Sequence, residues 1–574
     1  MKYPKEEYPL YPVPELRSLQ DILRNGLVTH ADRPALSDLL PTPIQQATYA
    51  QLYRHVVRFG RALRALGLKE RDHVALIGEN RVQWGIAYLA ITCFNFVVVP
   101  IDRNLKENEI LTILHASDSR AAVFTESFRE MFSAFERSVS KLDTLIDMDL
   151  PARREVIHSM KELIDGQPLP SEDNPFPAID PAAMAVIVFT SGSMGHAKGV
   201  MLSQRNICSN LRAMLQMLEI PETDRFLSVL PMHHTYECTC GFLCPLVKGA
   251  SVHYARSLKT VAEDMTTVRP TVVLGVPLLF EKMYRRISQA IAEKRIASAV
   301  MKPLQGVISI LEAVGVGGVR RKLFAEVHER FGGHIRMLIV GGAAPDPHVA
   351  QGFRALGFTF LQGYGLTECS PILALNRLRK YRDDAAGLPL PGVALRIEDP
   401  DNEGRGEIVA RGDSIMLGYY KNETATAEVL RDGWFYTGDF GFIDEDGFLH
   451  INGRKKNVII ARNGKNVFPE EIEERIAKLP FVLECVVYGS KSDDGNELIA
   501  TMIVPDANAV YEHARNKGEE VTEVYVRKLL DEQIRKLNEQ LPVYKQIRRV
   551  TVKDTEFEKT TTQKIKRYLI EAGG

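Results

Sequence analysis

The chain has 574 residues, with 72 basic and 73 acidic side chains and a net charge of -1. That length excludes a peptide or a small disulfide scaffold, and at roughly 150 residues per domain it accommodates several units. Hydrophobic residues at 45% and charged residues at 25% exclude dominant disorder, and so neutral a chain lacks the basic surplus of nucleic-acid binding.

The opening residues, MKYPKEEYPLYPVPE, contain no apolar core of a secretory signal. Seven cysteines, an odd number at low density, fit a reducing compartment better than a disulfide framework. The expected setting is cytoplasmic, extended at most to peripheral contact with the inner face of a membrane.

Along the chain, short Val- and Ile-rich runs alternate with amphipathic stretches. Leu52 to Leu66 and Asn206 to Leu218 carry helical patterns, while His73–Ile77, Ala121–Phe124, Ala185–Phe189 and Ile335–Val340 read as buried strands. Many such runs end at Gly, Pro, Ser or Thr, as buried parallel strands do. Val82 to Ile101 is uncharged and approaches the length of a spanning helix. Gln83, Asn95 and Pro100 interrupt it, so a helix followed by a buried strand is expected. The rhythm predicts an α/β fold with helices on both faces of a sheet.

Glu281 to Gly333 reads as largely helical and basic, with Arg285, Arg286, Lys294, Arg295, Lys302, Arg320, Arg321 and Lys322. Interleaved apolar residues give two readings, an amphipathic helix pair packed on the body or an anionic membrane surface contact. After about residue 390 come short turn-punctuated strands, a β-rich subdomain. After Gly453-Arg454-Lys455-Lys456 a small α+β pattern follows: a helix at Pro469 to Leu479, strands near 483–489 and 498–504, a helix at 521–540 and a strand at 547–553. The expected division is a large N-terminal domain, 1–454, and a small mobile C-terminal domain, 455–574.

The strongest local signal is Phe189-Thr190-Ser191-Gly192-Ser193-Met194-Gly195-His196-Ala197-Lys198, directly after a strand pattern. Small hydroxyl and glycine residues let backbone N–H groups approach phosphate oxygens, and Lys198 adds a positive charge. Downstream stand Gly341-Gly342-Ala343-Ala344-Pro345, Gln362-Gly363-Tyr364-Gly365-Leu366-Thr367-Glu368, Tyr436-Thr437-Gly438-Asp439 and Gly453-Arg454-Lys455-Lys456. These five segments, in this order, resemble the adenylate-forming superfamily of acyl-CoA synthetases, luciferases and adenylation domains. The phrases Gly453–Ile459 and Asn463–Glu473 look most like its long- or medium-chain fatty-acyl-CoA synthetases.

The resemblance implies that a carboxylate attacks the α-phosphate of Mg-ATP, and that the thiol of coenzyme A then displaces AMP. It implies that Thr190, Ser191, Gly192, Ser193, Met194 and Gly195 wrap the phosphates beside Lys198. Gly342, Ala343, Gln362, Gly363, Tyr364 and Gly365 would form the rest of the nucleotide pocket. Thr367 would donate to the α-phosphate, Glu368 would hold Mg²⁺, and Asp439 and Arg454 would take the ribose. Lys456 would be the hinge, Gly464 would line the pantetheine passage, and Lys564 would be the catalytic lysine. Three departures from the family pattern stand out: Ser193-Met194 for a common Thr-Thr pair, Ala197 for Pro, and Gln563 for the usual Gly before the lysine.

His234, in Leu230-Pro231-Met232-His233-His234-Thr235, resembles the residue that guards the acyl pocket. Thr235 stands where amino-acid-activating members have Asp, which disfavours an amino-acid substrate. Gly275-Val276-Pro277 is expected to line an apolar tunnel, where each buried CH₂ gains about 0.8 kcal/mol. Cys238, Cys240 and Cys244 read as packing residues rather than metal ligands, and Asp444–Gly447 as a hairpin turn. Alternatives left open are an acyl carrier protein as acceptor, an aryl acid as substrate, and a non-catalytic lipid or nucleotide sensor.

Overall fold

The computed structural model describes residues 9–135, 141–171, 173–190, 197–293, 318–461, 465–491, 497–559 and 565–571. The chain divides into two compact units, one of residues 1–395 with 410–435, the other of residues 396–409 with 436–574.

Among its described residues, the first unit contains two large sheets. One has nine strands in the order Leu388–Pro389, Ile372–Leu375, Thr359–Gly365, Met337–Val340, Val272–Gly275, Arg225–Ser228, Ser251–Tyr254, Pro34–Asp38 and Gln46–Thr48. Its interior pairings are parallel and its outer ones antiparallel. The other has eight, in the order Gly418–Tyr419, Lys198–Ser203, Met184–Thr190, Val97–Ile101, His73–Ile77, Ala121–Phe124, Thr144–Asp147 and Ile157–Ser159.

Both faces of these sheets are covered, as the apolar runs require. Val74 and Leu76 enter one core cluster, whereas Ala75 and Ile77, pointing the other way, enter a second. Leu274 and Val273 divide likewise between the first cluster and a third. The uncharged stretch resolves into the Val82–Cys93 helix and the Val97–Ile101 strand, both fully buried. Local chemistry fixes the helix starts. Thr48 and Gln51 form a capping box on the Tyr49–Ala65 helix, as Ser203 and Asn206 do on Gln204–Met217.

The basic stretch begins as the Pro277–Glu293 helix, with Ile287 buried and Ile291 packed against the third core cluster. Its exposed face carries Arg285 and Arg286. Residues 294–317 lie outside the described residues, and the short Val319–Leu323 and Ala325–Glu329 helices follow. No helix among the described residues is long and apolar enough to cross a membrane.

In the second unit the Val482–Lys491 and Glu497–Pro505 strands pair antiparallel, and Arg549–Val552 joins in parallel. The helices Pro469–Ile476 and Glu523–Glu539 pack there around Ile472, Ile476, Leu530 and Ile534. A helix at Ala507–Lys517 has no counterpart in the sequence reading. Its signals were present: the Asp506 carboxylate caps the N–H groups of Asn508 and Ala509, and Gly518 closes the end at a φ of 69°.

Candidate active site

In the first unit, the phosphate-loop candidate joins two antiparallel strands. Thr190 ends one, Lys198 opens the next, and the two pair directly. Ser191, Gly192, Ser193, Met194, Gly195 and His196 lie outside the described residues.

The strand Thr359–Gly365 carries Gln362, Gly363, Tyr364 and Gly365 in one extended run. The backbone needs glycine at 365, because a side chain there would run into the Pro371 carbonyl. Gly342 follows the neighbouring Met337–Val340 strand at a φ of 84°, a left-handed conformation that glycine adopts without strain; Ala343 comes next.

Thr367 and Glu368 sit on the one-turn Thr367–Cys369 helix that ends this run. Glu368 is fixed twice: its carbonyl accepts from Met416 N at 2.8 Å, and its Oε1 accepts from Tyr419 OH at 2.9 Å. Tyr419 lies opposite Val200 on the strand beside Lys198–Ser203, and its ring receives Lys198 Nζ at 4.8 Å from the centroid. One tyrosine therefore links the expected phosphate lysine to the expected metal carboxylate. Sequence reading missed Tyr419, which lies outside every motif. Its only local signal was an aromatic ring beside a glycine in the short Gly418–Tyr419 strand.

His234 packs ring to ring with His233, centroids 4.1 Å apart. The His233 side chain is largely enclosed. Burial, then the neighbouring His234 and Arg103, push its pKa well below the usual value, so it is neutral at physiological pH. Its Nε2 faces Asp102 at 3.6 Å, just after the Val97–Ile101 strand.

Beyond His234, residues Tyr236–Leu243 form a π-helix. One side of it borders an apolar cavity of ≈ 30 Å³, lined by Tyr236, Cys240, Cys244, Met214, Val340 and Gly363 among others. Gly275, Val276 and Pro277, expected along an apolar tunnel, are not among the residues lining this cavity. Gly275 is the register partner of Val340, and Val340 is the lining residue. The three cysteines are buried and free, and they pack as small apolar side chains.

In the second unit, Asp439 and Arg454 are direct partners in the antiparallel pairing of Trp434–Ile443 with Leu449–Arg454. Arg454 Nε meets Asp439 Oδ1 at 2.8 Å, with Asp439 buried and Arg454 part-exposed. Thr437 Oγ1 accepts from Asp439 N at 3.1 Å and donates to Ile408 O at 2.7 Å, which locks the turn. Asp444–Gly447 is the connecting turn, with Asp444 Oδ1 accepting from Asp446 and Phe448 N–H groups. Lys456 lies on the single turn Lys455–Asn457.

Gly464 and Lys564 lie outside the described residues. Around the latter, Lys559 and Ile565 form a bridge. Lys559 pairs with Glu484, and Arg567 pairs with the half-buried Glu473, whose pKa desolvation raises to about 7.

A family model described as AMP-binding enzyme matches residues 23–420, and one described as AMP-binding enzyme C-terminal domain matches 456–572. A long-chain-fatty-acid–CoA ligase from Mycobacterium bovis is 28% identical over 538 residues, covering 88% of this chain and 87% of its own. A chloroplastic long-chain-fatty-acid–[acyl-carrier-protein] ligase from Arabidopsis thaliana is 26% identical and covers 97% of this chain and 86% of its own. Among solved structures, an anthranilate CoA ligase in complex with anthranoyl-AMP superposes with a TM-score of 0.77 at 20% identity, covering 98% of both chains. That likeness establishes the α/β fold expected from the sequence.

Proposed function

The chain belongs to the AMP-binding enzyme family, and from that premise we propose that it joins a fatty acid to coenzyme A at the expense of ATP. In the first step a carboxylate oxygen attacks the α-phosphorus. The bond from that phosphorus to the bridging oxygen breaks, and pyrophosphate leaves. In the second step the thiol sulfur attacks the acyl carbonyl carbon, AMP departs, and the thiol proton passes to solvent.

The observation that carries the acyl class is the apolar cavity. Gly363 lines it and belongs to the same strand run as Gln362, Tyr364 and Gly365. An apolar space thus opens beside the residues read as the nucleotide pocket, the geometry an acyl chain joined to AMP requires. At ≈ 30 Å³ the cavity holds only about two water-sized groups, so a long chain enters by displacing lining side chains.

Thr190 and Lys198, with residues 191–195 and Thr367, act on the phosphates, and Gly342, Ala343 and Tyr364 on the base. Glu368 is suited to Mg²⁺. With Oε1 taken by Tyr419, Oε2 is the hard oxygen donor that would hold the ion, which neutralises phosphate charge when bound. Asp439 and Arg454 hold the ribose, and Lys564 bridges the attacking carboxylate and the α-phosphate. His234 guards the acid, with His233 neutral behind it. Rotation of 455–574 about Lys456 would bring Gly464 to the pantetheine and take Lys564 away. The exposed Arg285 and Arg286 on the Pro277–Glu293 helix, with the basic residues up to 333, support peripheral contact with an anionic membrane.

The test is AMP and pyrophosphate release from Mg-ATP with acids of graded chain length, with and without coenzyme A. Turnover that needs coenzyme A and peaks at one length is the expected result. Turnover indifferent to coenzyme A but dependent on acyl carrier protein moves the acceptor, and silence across all acids overturns the reading. Loss of vesicle flotation on deleting 281–333 checks the membrane contact.

A further inference from the structure

The π-helix that borders the cavity has a second face. Tyr236, Cys240 and Cys244 line the cavity, whereas Glu237, one residue on from Tyr236, is fully buried elsewhere in the interior. Room for its carboxyl exists because position 241 is glycine: a Cβ there would lie 2.5 Å from Glu237 Oε1. Neither carboxyl oxygen has a hydrogen-bond partner among the described residues. A π-turn is a rare, locally costly conformation that concentrates at functional sites, and here it holds an acid on one side and a cavity wall on the other.

What the acid faces is a polar row across the sheet. Ser228, Tyr254 and Asp38 end three adjacent parallel strands and are register partners, Ser228 with Tyr254 and Tyr254 with Asp38. The Ser228 hydroxyl faces the Glu237 carboxyl and works against the rise in its pKa, while that carboxyl pushes the pKa of Tyr254 further up. The Tyr254 hydroxyl, like that carboxyl, has no hydrogen-bond partner among the described residues. Asn80 ties the row to the segment before the histidine pair, donating to Ser228 Oγ at 3.1 Å and to Leu230 O at 2.7 Å while accepting from Met232 N at 3.0 Å. Asp38 in turn accepts from Thr42 Oγ1 at 2.6 Å and from Val82 N at 3.0 Å.

We propose that Glu237 is a positioning residue, one that pins the π-turn to the Ser228–Tyr254–Asp38 row and thereby sets how wide the acid-binding cavity opens. The proposal rests on the acyl-activation reading above. Burial raises the Glu237 pKa to about 8, so at neutral pH the group is an un-ionised carboxylic acid that can remain in an apolar interior. Above that pH it becomes a buried carboxylate with no cation beside it among the described residues. It must then draw in water or move, and the π-turn and cavity wall move with it.

The titratable groups facing Glu237 are Tyr254 and, beyond it, Asp38 from the sheet, and Tyr236, Cys238 and Cys240 from its own helix, with Tyr88 reaching Cys238 from the Val82–Cys93 helix. The tyrosines and cysteines are all pushed up by burial, which leaves Asp38, raised to about 7, as the other group changing charge in this range.

The experiment follows KM for a soluble medium-chain acid and for ATP in the whole enzyme between about pH 7 and 9, in wild type, Glu237→Gln and Asp38→Asn. In wild type the acid KM is expected to rise several-fold through this range while the ATP KM stays level. The isosteric, unchargeable Glu237→Gln should abolish the rise, and Asp38→Asn should keep it. A rise of equal size in Glu237→Gln, or a level acid KM in wild type, overturns the proposal.

Thermal unfolding over the same pH series separates the possible failures. A wild type that activates no acid overturns the function proposed above, whereas parallel pH dependence of unfolding in wild type and Glu237→Gln overturns the role of Glu237. Should Glu237→Gln fail to fold, the wild-type split between acid and ATP KM decides alone.

Discussion

Replacing Gly341 by Ala tests the cavity wall at one atom's resolution. Position 341 is absent from the positive-φ residues, so alanine suits its backbone and the effect is steric. The added Cβ would lie 2.8 Å from Tyr236 Cζ and 3.1 Å from each Cε. Ordinary carbon contacts are about 3.5–4.0 Å, so the ring must retreat by roughly 0.7 Å. Its hydroxyl donates to Ile339 O at 3.2 Å, and that retreat takes the bond beyond useful length. Losing it costs about 1 kcal/mol, and forcing a methyl into a packed interior costs about 1–3 kcal/mol. Together they predict destabilisation of about 2–4 kcal/mol.

The yielding space is the cavity that Tyr236 borders, so the ring closes on the proposed acyl path. The expected outcome is a lowered thermal midpoint together with a KM that rises more for long acids than for short ones, measured across a chain-length panel. An unchanged midpoint and an unchanged chain-length profile would refute the packing argument. A lowered midpoint with a uniform KM change would refute the assignment of the cavity to the acyl chain.

Three further perturbations separate the roles of other residues. Asp439→Asn should lower kcat/KM for ATP by about 10- to 100-fold, the scale of one charge-assisted contact. It should barely move stability, because the Arg454 side chain is 41% exposed and such pairs contribute about 0–1 kcal/mol; pyrophosphate release and thermal unfolding read the two effects. Tyr419→Phe removes the hydroxyl on Glu368 and should lower turnover by about 5- to 10-fold, equivalent to about 1 kcal/mol, with a higher Mg²⁺ requirement in a metal titration. Glu237 should also govern stability against pH. Its folded pKa of about 8 lies above the ordinary 4.5, so between those values the native state holds a proton that the unfolded chain has lost. Wild type should therefore lose about 1.4 kcal/mol per pH unit relative to Glu237→Gln as pH rises through this window, and level off above it. Denaturation curves differing by a constant amount would contradict that sign and slope.

Much of the architecture was legible because it is written in short stretches. The apolar runs at His73–Ile77 and Ala121–Phe124 are strands as read, since residues buried on both faces of a parallel sheet must be apolar throughout. Helix patterns were placed to within a few residues. The Tyr49–Ala65 helix starts three residues earlier than Leu52 because Thr48 caps it. The Ala507–Lys517 helix escaped notice although Asp506 and Gly518 marked its ends, because its buried face is small, with only Val510 and Ala514 buried.

By itself, the sequence determined the layered α/β class, the residues of the expected nucleotide segments and the packing role of the cysteines, each a matter of near neighbours in the chain. Only the tertiary structure decided which distant side chains meet. Tyr419 reaches Glu368 across 51 positions, and Asp38, Ser228 and Tyr254 become one row only when three strands pair. Glu237 lies in a segment whose sequence does not announce its burial. The Glu237 carboxyl is buried because the π-turn directs it inward over Gly241, and no local pattern announces that turn. The reason is physical: periodicity reports which face of an element avoids water, whereas the pairing of parallel strands is settled by long-range packing, and there the polar row and the cavity wall are made.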